Sequence, residues 1–139
     1  MSPQEIEVIP LDALRAKVAA KRAQGQRLVQ VSATRLAAQV ELTYSFDLDR
    51  RLTHLRLVLP GPDTPLPSIS AIYGCAMLYE NEIKDLFGVP VDGLTVDFQG
   101  NFYKTKVRHP FGNVKTECVF VPAPGAAHPA PAPAPAAPQ

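Results

Sequence analysis

The chain has 139 residues, which suits a single domain, and its formal net charge is only +1. So balanced a charge predicts neither nucleic acid nor an anionic membrane as the main partner. The two cysteines, Cys75 and Cys118, are too few for an iron–sulfur cluster or a structural zinc site, which usually take four ligands, so we expect both to be reduced and buried.

The first half of the chain predicts a helix and then a sheet. After an extended start, Leu11, Leu14 and Val18 recur at helical spacing, and Gly25 ends the helix. We expect the basic residues of this helix to form a solvated face, with contact to an acidic neighbour as the alternative. Apolar and polar residues then alternate, and a turn at 47–50 completes a hairpin, so three strands are predicted: residues 26–33, 38–46 and 51–59.

The second half predicts one long helix after a proline-rich connection. Four prolines between residues 60 and 67 exclude helix and central strand there. Apolar side chains at helical spacing then run from Ile69 to Phe87, with Ser68 or Ser70 as the N-cap and Gly88 as the left-handed residue after the helix. No apolar run reaches the roughly 18 residues of a membrane span, so we expect any membrane association to be indirect, through partners.

The remaining residues are less regular. Residues 94–98 and 118–121 suit short strands, and 99–101 suits a turn. Aromatic and basic residues alternate between 102 and 111, which is typical of a segment lying over a partner surface. An alanine- and proline-rich tail over 121–139 predicts disorder, which leaves a folded domain over 1–120. Together the elements predict an α+β fold: a small antiparallel or mixed sheet with helices packed on one face and an irregular C-terminal extension.

The acidic end of the second helix is the most informative stretch of the chain. As catalysts, Glu80, Glu82 and Asp85 would act as general acid and base or bind a divalent metal. Only Glu82 and Asp85 share a helix face, however, and no histidine accompanies them, so this interpretation is disfavoured. As a solvated helix end, the stretch would instead contain an ion pair between Glu80 and Lys84, one turn apart.

A docking surface is the third interpretation. Glu80 falls on the apolar stripe of the helix, while Glu82 and Asp85 rotate away from it, and a buried carboxylate needs a hydrogen-bond partner. We expect arginines or backbone amides of another chain to satisfy Glu80 and Asp85. Phe87 beside Gly88 is then a natural anchor for that contact.

Residues 76–89, A-M-L-Y-E-N-E-I-K-D-L-F-G-V, resemble a known family motif. The motif A-N-x-Y-E-R-E-x-x-D-L-F-G-I is typical of the 30 kDa subunit family of respiratory complex I, the NADH-quinone oxidoreductase. The same family supplies a small subunit of energy-converting, membrane-bound nickel–iron hydrogenases. Both glutamates, the aspartate and the Phe-Gly pair match. The resemblance is specific over 68–91 and only architectural over 11–59.

Two departures from the family pattern are informative. Asn81 stands where the family usually has arginine. After Gly88, complex I subunits tend to carry a Gly-His-Pro-Asp-Leu-Arg-Arg stretch and a basic extension, whereas this chain continues as P-V-D-G-L-T over 90–95. This short form resembles the hydrogenase branch more than the quinone-reducing one.

The resemblance implies a non-catalytic accessory subunit without catalytic, cofactor-binding or metal-binding residues of its own. Its partners would be the large subunit that carries the nickel–iron site and the small iron–sulfur subunit, in a ferredoxin-linked complex that couples hydrogen metabolism to ion translocation. It would lie peripherally on the cytoplasmic side of the cell membrane, and its docking residues would be Glu80, Glu82, Asp85, Phe87 and Gly88. The alternatives are the 30 kDa subunit of a complex I-like quinone oxidoreductase, driven by NADH or ferredoxin, and a free-standing carboxylate enzyme.

Overall fold

The computed structural model describes residues 4–61 and 63–112. A single-turn 3-10 helix over Leu11–Ala13 leads into the first α-helix. The helices are α1 (Leu14–Ala23) and α2 (Ala76–Phe87). The strands are β1 (Glu5–Val8), β2 (Arg27–Leu36), β3 (Gln39–Leu48), β4 (Arg51–Leu59), β5 (Leu66–Pro67) and β6 (Val91–Asp92).

Four strands form one mixed sheet in the order β1-β4-β3-β2. The strands β2, β3 and β4 pair antiparallel along the chain, whereas β1 pairs parallel with β4. The short strands β5 and β6 form a separate parallel pair. This architecture confirms the predicted α+β class with a mixed sheet.

The β3–β4 hairpin turns at Asp49 and Arg50, whose φ angles of 50° and 66° both lie in the left-handed region. Two such residues in succession match the right-handed twist of the flanking strands. The hairpin predicted from the turn at 47–50 is therefore confirmed.

The core lies between one face of this sheet and the two helices. Alternate residues of β3 and β4 are fully buried there, as the period-2 pattern predicts: Val40, Leu42, Tyr44, Phe46, Leu55, Leu57 and Leu59. Leu14 and Val18 of α1 and Ala76 and Ile83 of α2 pack against them. Fully burying a large apolar side chain stabilises a fold by roughly 1.5–3 kcal/mol, so this face carries most of the hydrophobic stabilisation.

Three basic residues of α1 also contact neighbouring segments of the chain. Lys17 forms an ion pair with Glu7 of β1 at 2.5 Å, Lys21 Nζ donates to Thr53 Oγ1 at 3.1 Å, and Arg15 Nε donates to the Ser68 carbonyl at 3.2 Å. These contacts tie α1 to its neighbours, while Arg15 and Lys17 remain exposed, as the predicted solvated face requires, and Lys21 is half-buried. Within the described ranges, no helix is long and apolar enough to cross a membrane.

The second helix begins later than predicted. It starts at Ala76 rather than Ile69, and residues 69–75 form turns in which the amides of Ile72 and Tyr73 both donate to the Ile69 carbonyl. The residue before the helix is Cys75, which is exposed, so its predicted burial is also wrong. Ser68 and Ser70 do not cap the helix, because the Ser68 hydroxyl binds the buried carboxylate of Glu80, and the Ser70 hydroxyl binds that of Ser68 and accepts the Thr95 amide.

Neither of the two strands predicted after α2 is confirmed. Residues 94–98 are not a strand, because the chain pairs earlier, through Val91 and Asp92 with Leu66 and Pro67. The predicted strand at 118–121, Cys118 and the tail from residue 121 lie outside the described residues, so the domain boundary stays a prediction.

Replacing Leu57 by alanine should lower the free energy of unfolding by about 2–5 kcal/mol, because the side chain is fully buried and leaves a cavity. Leu52 is the matched control, since it lies on the same strand but is 40% exposed. Its alanine variant should lose well under half as much. Urea denaturation of both variants measures the difference, and equal losses would contradict the assignment of the buried face.

Candidate docking site at the end of the second helix

The predicted site residues lie in α2 and at Gly88 directly after it, and most of their polar groups bind other segments of the same chain. The helix ends at Gly88, which has a φ of +73° and donates its amide to the Lys84 carbonyl at 3.1 Å. This confirms the predicted left-handed glycine, since glycine alone adopts that conformation without cost.

Glu80 is completely buried and clamps the segment before the helix. The Ser68 hydroxyl donates to Oε2 at 2.5 Å, and the Ile69 amide donates to Oε1 at 2.7 Å. Burial raises the pKa of Glu80, while these two hydrogen bonds act to lower it. The partners that we expected from another chain are thus supplied within this one, and Glu80 offers no surface for docking.

Lys84 does not form the ion pair with Glu80 that a solvated helix end would contain. Its ammonium group contacts both carboxylate oxygens of Asp97, at 2.8 and 2.9 Å. This ion pair lies at the surface, where such a contact is worth little, so its main effect is to place the 95–99 loop beside the helix.

Asn81 is a site residue that the sequence analysis missed. Its side-chain amide donates to the carbonyls of Met77 at 2.8 Å and Val96 at 2.9 Å, and its Oδ1 accepts the Phe98 amide at 3.1 Å. Because the side chain carries both donors and an acceptor, it supplies residues 96–98 with the hydrogen bonds that a neighbouring strand would otherwise make. The signal in the sequence is an asparagine inside a predicted helix, a position that this residue seldom favours unless its side chain bonds elsewhere.

Asp85 holds the next part of the chain. It is only 6% exposed, so the prediction that it rotates away from the buried stripe is wrong. Its Oδ2 accepts the Tyr103 amide at 2.9 Å, and its backbone carbonyl accepts a hydrogen bond from His109 Nδ1 at 3.0 Å. The amide compensates the carboxylate for its unfavourable position at the negative end of the helix dipole.

Glu82 and Asp85 share a helix face, as predicted, and both meet Tyr103. The Tyr103 hydroxyl donates to Glu82 Oε2 at 3.4 Å. The Glu82 charge raises the pKa of the Tyr103 phenol, because it repels the phenolate. Glu82 remains partly exposed, so it is one of the acidic residues still available at the surface.

The chain then returns to the end of the helix at Phe111. The Phe111 amide donates to the Leu86 carbonyl at 2.8 Å, and its ring contacts that of Phe87 with centroids 5.6 Å apart. A Cβ at Gly88 would lie 3.0 Å from the His109 ring. Phe87 and Gly88 therefore first shape the fold of 109–112 in this chain.

The surface that results is both apolar and basic. Several large apolar residues of this segment are exposed: Val96, Phe98, Tyr103, Val107 and Phe111. Lys104, Lys106 and Arg108 lie between them and are also exposed. A cavity of about 420 Å³ opens between this segment and the helix end, lined by Lys84, Asp85, Gly88, Val89, Pro90, Gln99, Gly100, Tyr103, Thr105, Arg108 and His109. Contiguous exposed apolar residues beside charged ones are typical of protein interaction sites.

Metal-ligating residues do not gather in the part of the chain that the structure describes. No group of three or more His, Cys, Asp or Glu residues there is placed to hold a metal ion. His54, on the outer face of the sheet, pairs its Nδ1 with the Ser45 hydroxyl at 2.9 Å.

Residues 8–110 match the sequence profile of a family described as the respiratory-chain NADH dehydrogenase 30 Kd subunit. No protein of curated function matches the chain.

Two solved structures share the fold. A chain of the membrane-bound sulfane sulfur reductase, an archaeal respiratory membrane complex, superposes with a TM-score of 0.65 at 19% identity, over 71% of this chain and 62% of that one. This chain thus spans less than two thirds of that relative. The trypsin-resistant fragment of Nqo5 gives a TM-score of 0.59 at 21% identity, over 67% of this chain and 82% of the fragment.

Replacing Gly88 by alanine should destabilise the fold more than replacing Gly25. Both glycines follow a helix with φ near +75°, at +73° and +77°, and share the cost of about 1 kcal/mol for a side chain there. Only at Gly88 would the new Cβ press on the His109 ring, since nothing lies within 4 Å at Gly25. Chemical denaturation measures both variants, and equal losses would show that His109 does not pack on the helix end.

The Glu80→Gln variant should change how stability depends on pH. A carboxyl whose folded pKa is raised above its ordinary value of 4.5 stabilises the fold fully below that value and loses the contribution as pH rises through the folded pKa. Glutamine keeps the shape and does not titrate. The free energy of unfolding of the wild type, minus that of the variant, should therefore fall as the pH rises above 4.5. A difference that stays constant or rises would contradict the burial effect.

Proposed function

Because the chain belongs to the 30 kDa subunit family of the respiratory-chain NADH dehydrogenase, we propose that it is a non-catalytic accessory subunit of a membrane-bound, energy-converting nickel–iron hydrogenase. It sits in the hydrophilic arm of that complex, on the cytoplasmic side, and reaches the membrane only through other subunits. Its partners are the large subunit with the nickel–iron site and the small iron–sulfur subunit, which hold the cofactors.

The observation that carries this proposal is that the acidic residues of the helix end bind groups of this same chain. Glu80 accepts the backbone amide of Ile69, and Asp85 accepts that of Tyr103. Asn81 likewise accepts the amide of Phe98 in the loop before Tyr103. An acid–base catalyst needs a carboxyl that reaches a substrate, whereas Glu80 is fully buried. Glu80 is therefore suited to building the fold rather than to acid–base chemistry, which removes one of the three carboxylates that a free-standing enzyme would use.

The apolar and basic segment over 96–111 is the face that we assign to the large subunit. Tyrosine, phenylalanine and arginine are enriched in the cores of protein interfaces, and this segment exposes all three types. Glu82, Asp85, Phe87 and Gly88 hold the segment in place and flank it. Docking would then cover apolar area that a monomer leaves in water.

The stretch after Gly88 favours the hydrogenase branch over the complex I branch. Where complex I subunits tend to carry Gly-His-Pro-Asp-Leu-Arg-Arg, this chain uses Val91 and Asp92 to pair with β5. The Ser68 amide also donates to the Asp92 carbonyl at 2.8 Å. The second candidate, the 30 kDa subunit of a complex I-like quinone oxidoreductase, is supported by the family match itself.

An affinity pull-down of the tagged chain from detergent-solubilised native membranes, read by mass spectrometry, tests the assignment. Recovery of a nickel-containing large subunit and a small iron–sulfur subunit is expected. Recovery of a flavin- and NADH-binding module would move the assignment to complex I. A chain recovered alone from the soluble fraction, with turnover of its own, would contradict both.

The Glu82→Ala variant should weaken this assembly about fivefold, the equivalent of roughly 1 kcal/mol, because it removes an exposed charge and the hydrogen bond that orients Tyr103. Glu5→Ala is the matched control, since Glu5 is an exposed glutamate at the far edge of the sheet. Recovery of the partner subunits is compared at equal bait. Equal recovery with the two variants would remove Glu82 from the docking surface.

A further inference from the structure

The cavity at the end of α2 contains a buried carboxylate oxygen that the fold does not use. Asp85 is 6% exposed and lines the cavity together with Gly88, Tyr103, Arg108 and His109. Its Oδ2 accepts the Tyr103 amide, whereas Oδ1 is buried and has no hydrogen-bond partner among residues 4–61 and 63–112. Buried carboxylate oxygens are costly unless a donor reaches them, so this atom indicates a missing donor.

Close to Asp85 Oδ1, the electrostatics of the cavity favour a cation. The carbonyl groups at the end of a helix carry partial negative charge, and they add to the charge of Asp85. The ammonium group of Lys84, which also lines the cavity, is already bound to both oxygens of Asp97. His109 donates its Nδ1 hydrogen to the Asp85 carbonyl, and Arg108 is exposed to solvent. An anion entering here would face the buried carboxylate directly.

The size and rim of the cavity fit a long side chain rather than a free ion. A volume of about 420 Å³ exceeds what one ion needs, and a single carboxylate is a poor ligand set for a divalent metal. Near the lining residues, Tyr103 and Phe111 are each about half exposed and Val107 is 64% exposed. Apolar groups in such a position pack along the methylene stem of a lysine or arginine while its charged end reaches inward.

We propose that this cavity receives a lysine or arginine side chain of the large partner subunit, whose charged group donates to Asp85 Oδ1. This inference rests on the proposed function, because it takes the large subunit as the source of the side chain. It makes Asp85 a bridge: Oδ2 holds Tyr103 in place, and Oδ1 binds the partner. The docking surface is then organised around one buried ion pair with an apolar rim.

The test compares Asp85→Asn with Asp92→Asn in the full-length chain. Asparagine at position 85 keeps an oxygen for the Tyr103 amide but turns the other oxygen into a donor that repels a cation. Asp92→Asn is the matched control, because it changes the net charge by the same amount. Asp92 is an exposed aspartate whose side chain makes no hydrogen bond or ion pair within the described residues. Quantitative pull-down of the large subunit from solubilised membranes should show at least a tenfold loss for Asp85→Asn and none for Asp92→Asn.

The outcomes separate this inference from the proposed function. If the wild-type chain recovers the large subunit and Asp85→Asn recovers it equally, the cavity holds only water and the inference is overturned, while the proposed function stands. If the wild type recovers no partner, both fail. Thermal unfolding and protection of the Tyr103 amide from exchange check that the variant is folded.

A second variant decides the matter if Asp85→Asn does not fold. Thr105 is an exposed residue that lines the cavity, and its hydroxyl makes only a local bond to the Val107 carbonyl. Thr105→Trp keeps Asp85 and fills the cavity, so it should also abolish recovery of the large subunit. Wild-type recovery with this variant would overturn the inference.

Discussion

The buried carboxylate of Glu80 is the contact on which the arrangement of the second half of the chain depends. It binds the Ser68 hydroxyl and the Ile69 amide, two groups that lie before the helix in sequence and beside it in space. Because of these bonds, residues 69–75 turn instead of extending α2 toward its N-terminus. The β5–β6 pair forms next to them, and α2 is fixed against the sheet. A buried charge that satisfies itself with local donors can specify one arrangement even where it adds little net stability.

The other polar side chains near the end of α2 bind backbone groups of the segment that follows the helix, as Glu80 binds the segment before it. Asn81 and Asp85 provide the hydrogen bonds that residues 96–103 would otherwise make in a sheet, and His109 and Phe111 close the path at the last turn of the helix. An irregular segment can therefore keep a defined shape while exposing apolar and basic side chains. Such a segment is suited to recognising a second protein, because little conformational entropy remains to be lost on binding.

The sheet and first helix could be predicted from the sequence because their signals are local. Alternation along β3 fixes which side chains face the core, and the turn residues at 49 and 50 fix the hairpin. The start of α2 could not be predicted in this way. Ile69 and Tyr73 have helical spacing, but a side chain eleven residues away captures the Ile69 amide. The same limit applies to Asp85, whose burial results from a loop eighteen residues further on.

Hydrogen exchange at the amides of Phe98 and Tyr103 shows whether the helix end orders this surface before a partner binds, since Asn81 and Asp85 accept these two hydrogens. We expect both amides to be protected in the isolated chain, and residues 104–111 to gain protection only in the assembled membrane complex. Exchange of both amides at the rate of an unfolded chain, with protection appearing only in the complex, would show that the helix end does not build the surface in advance. No added protection in the complex would show that the surface is not the docking site.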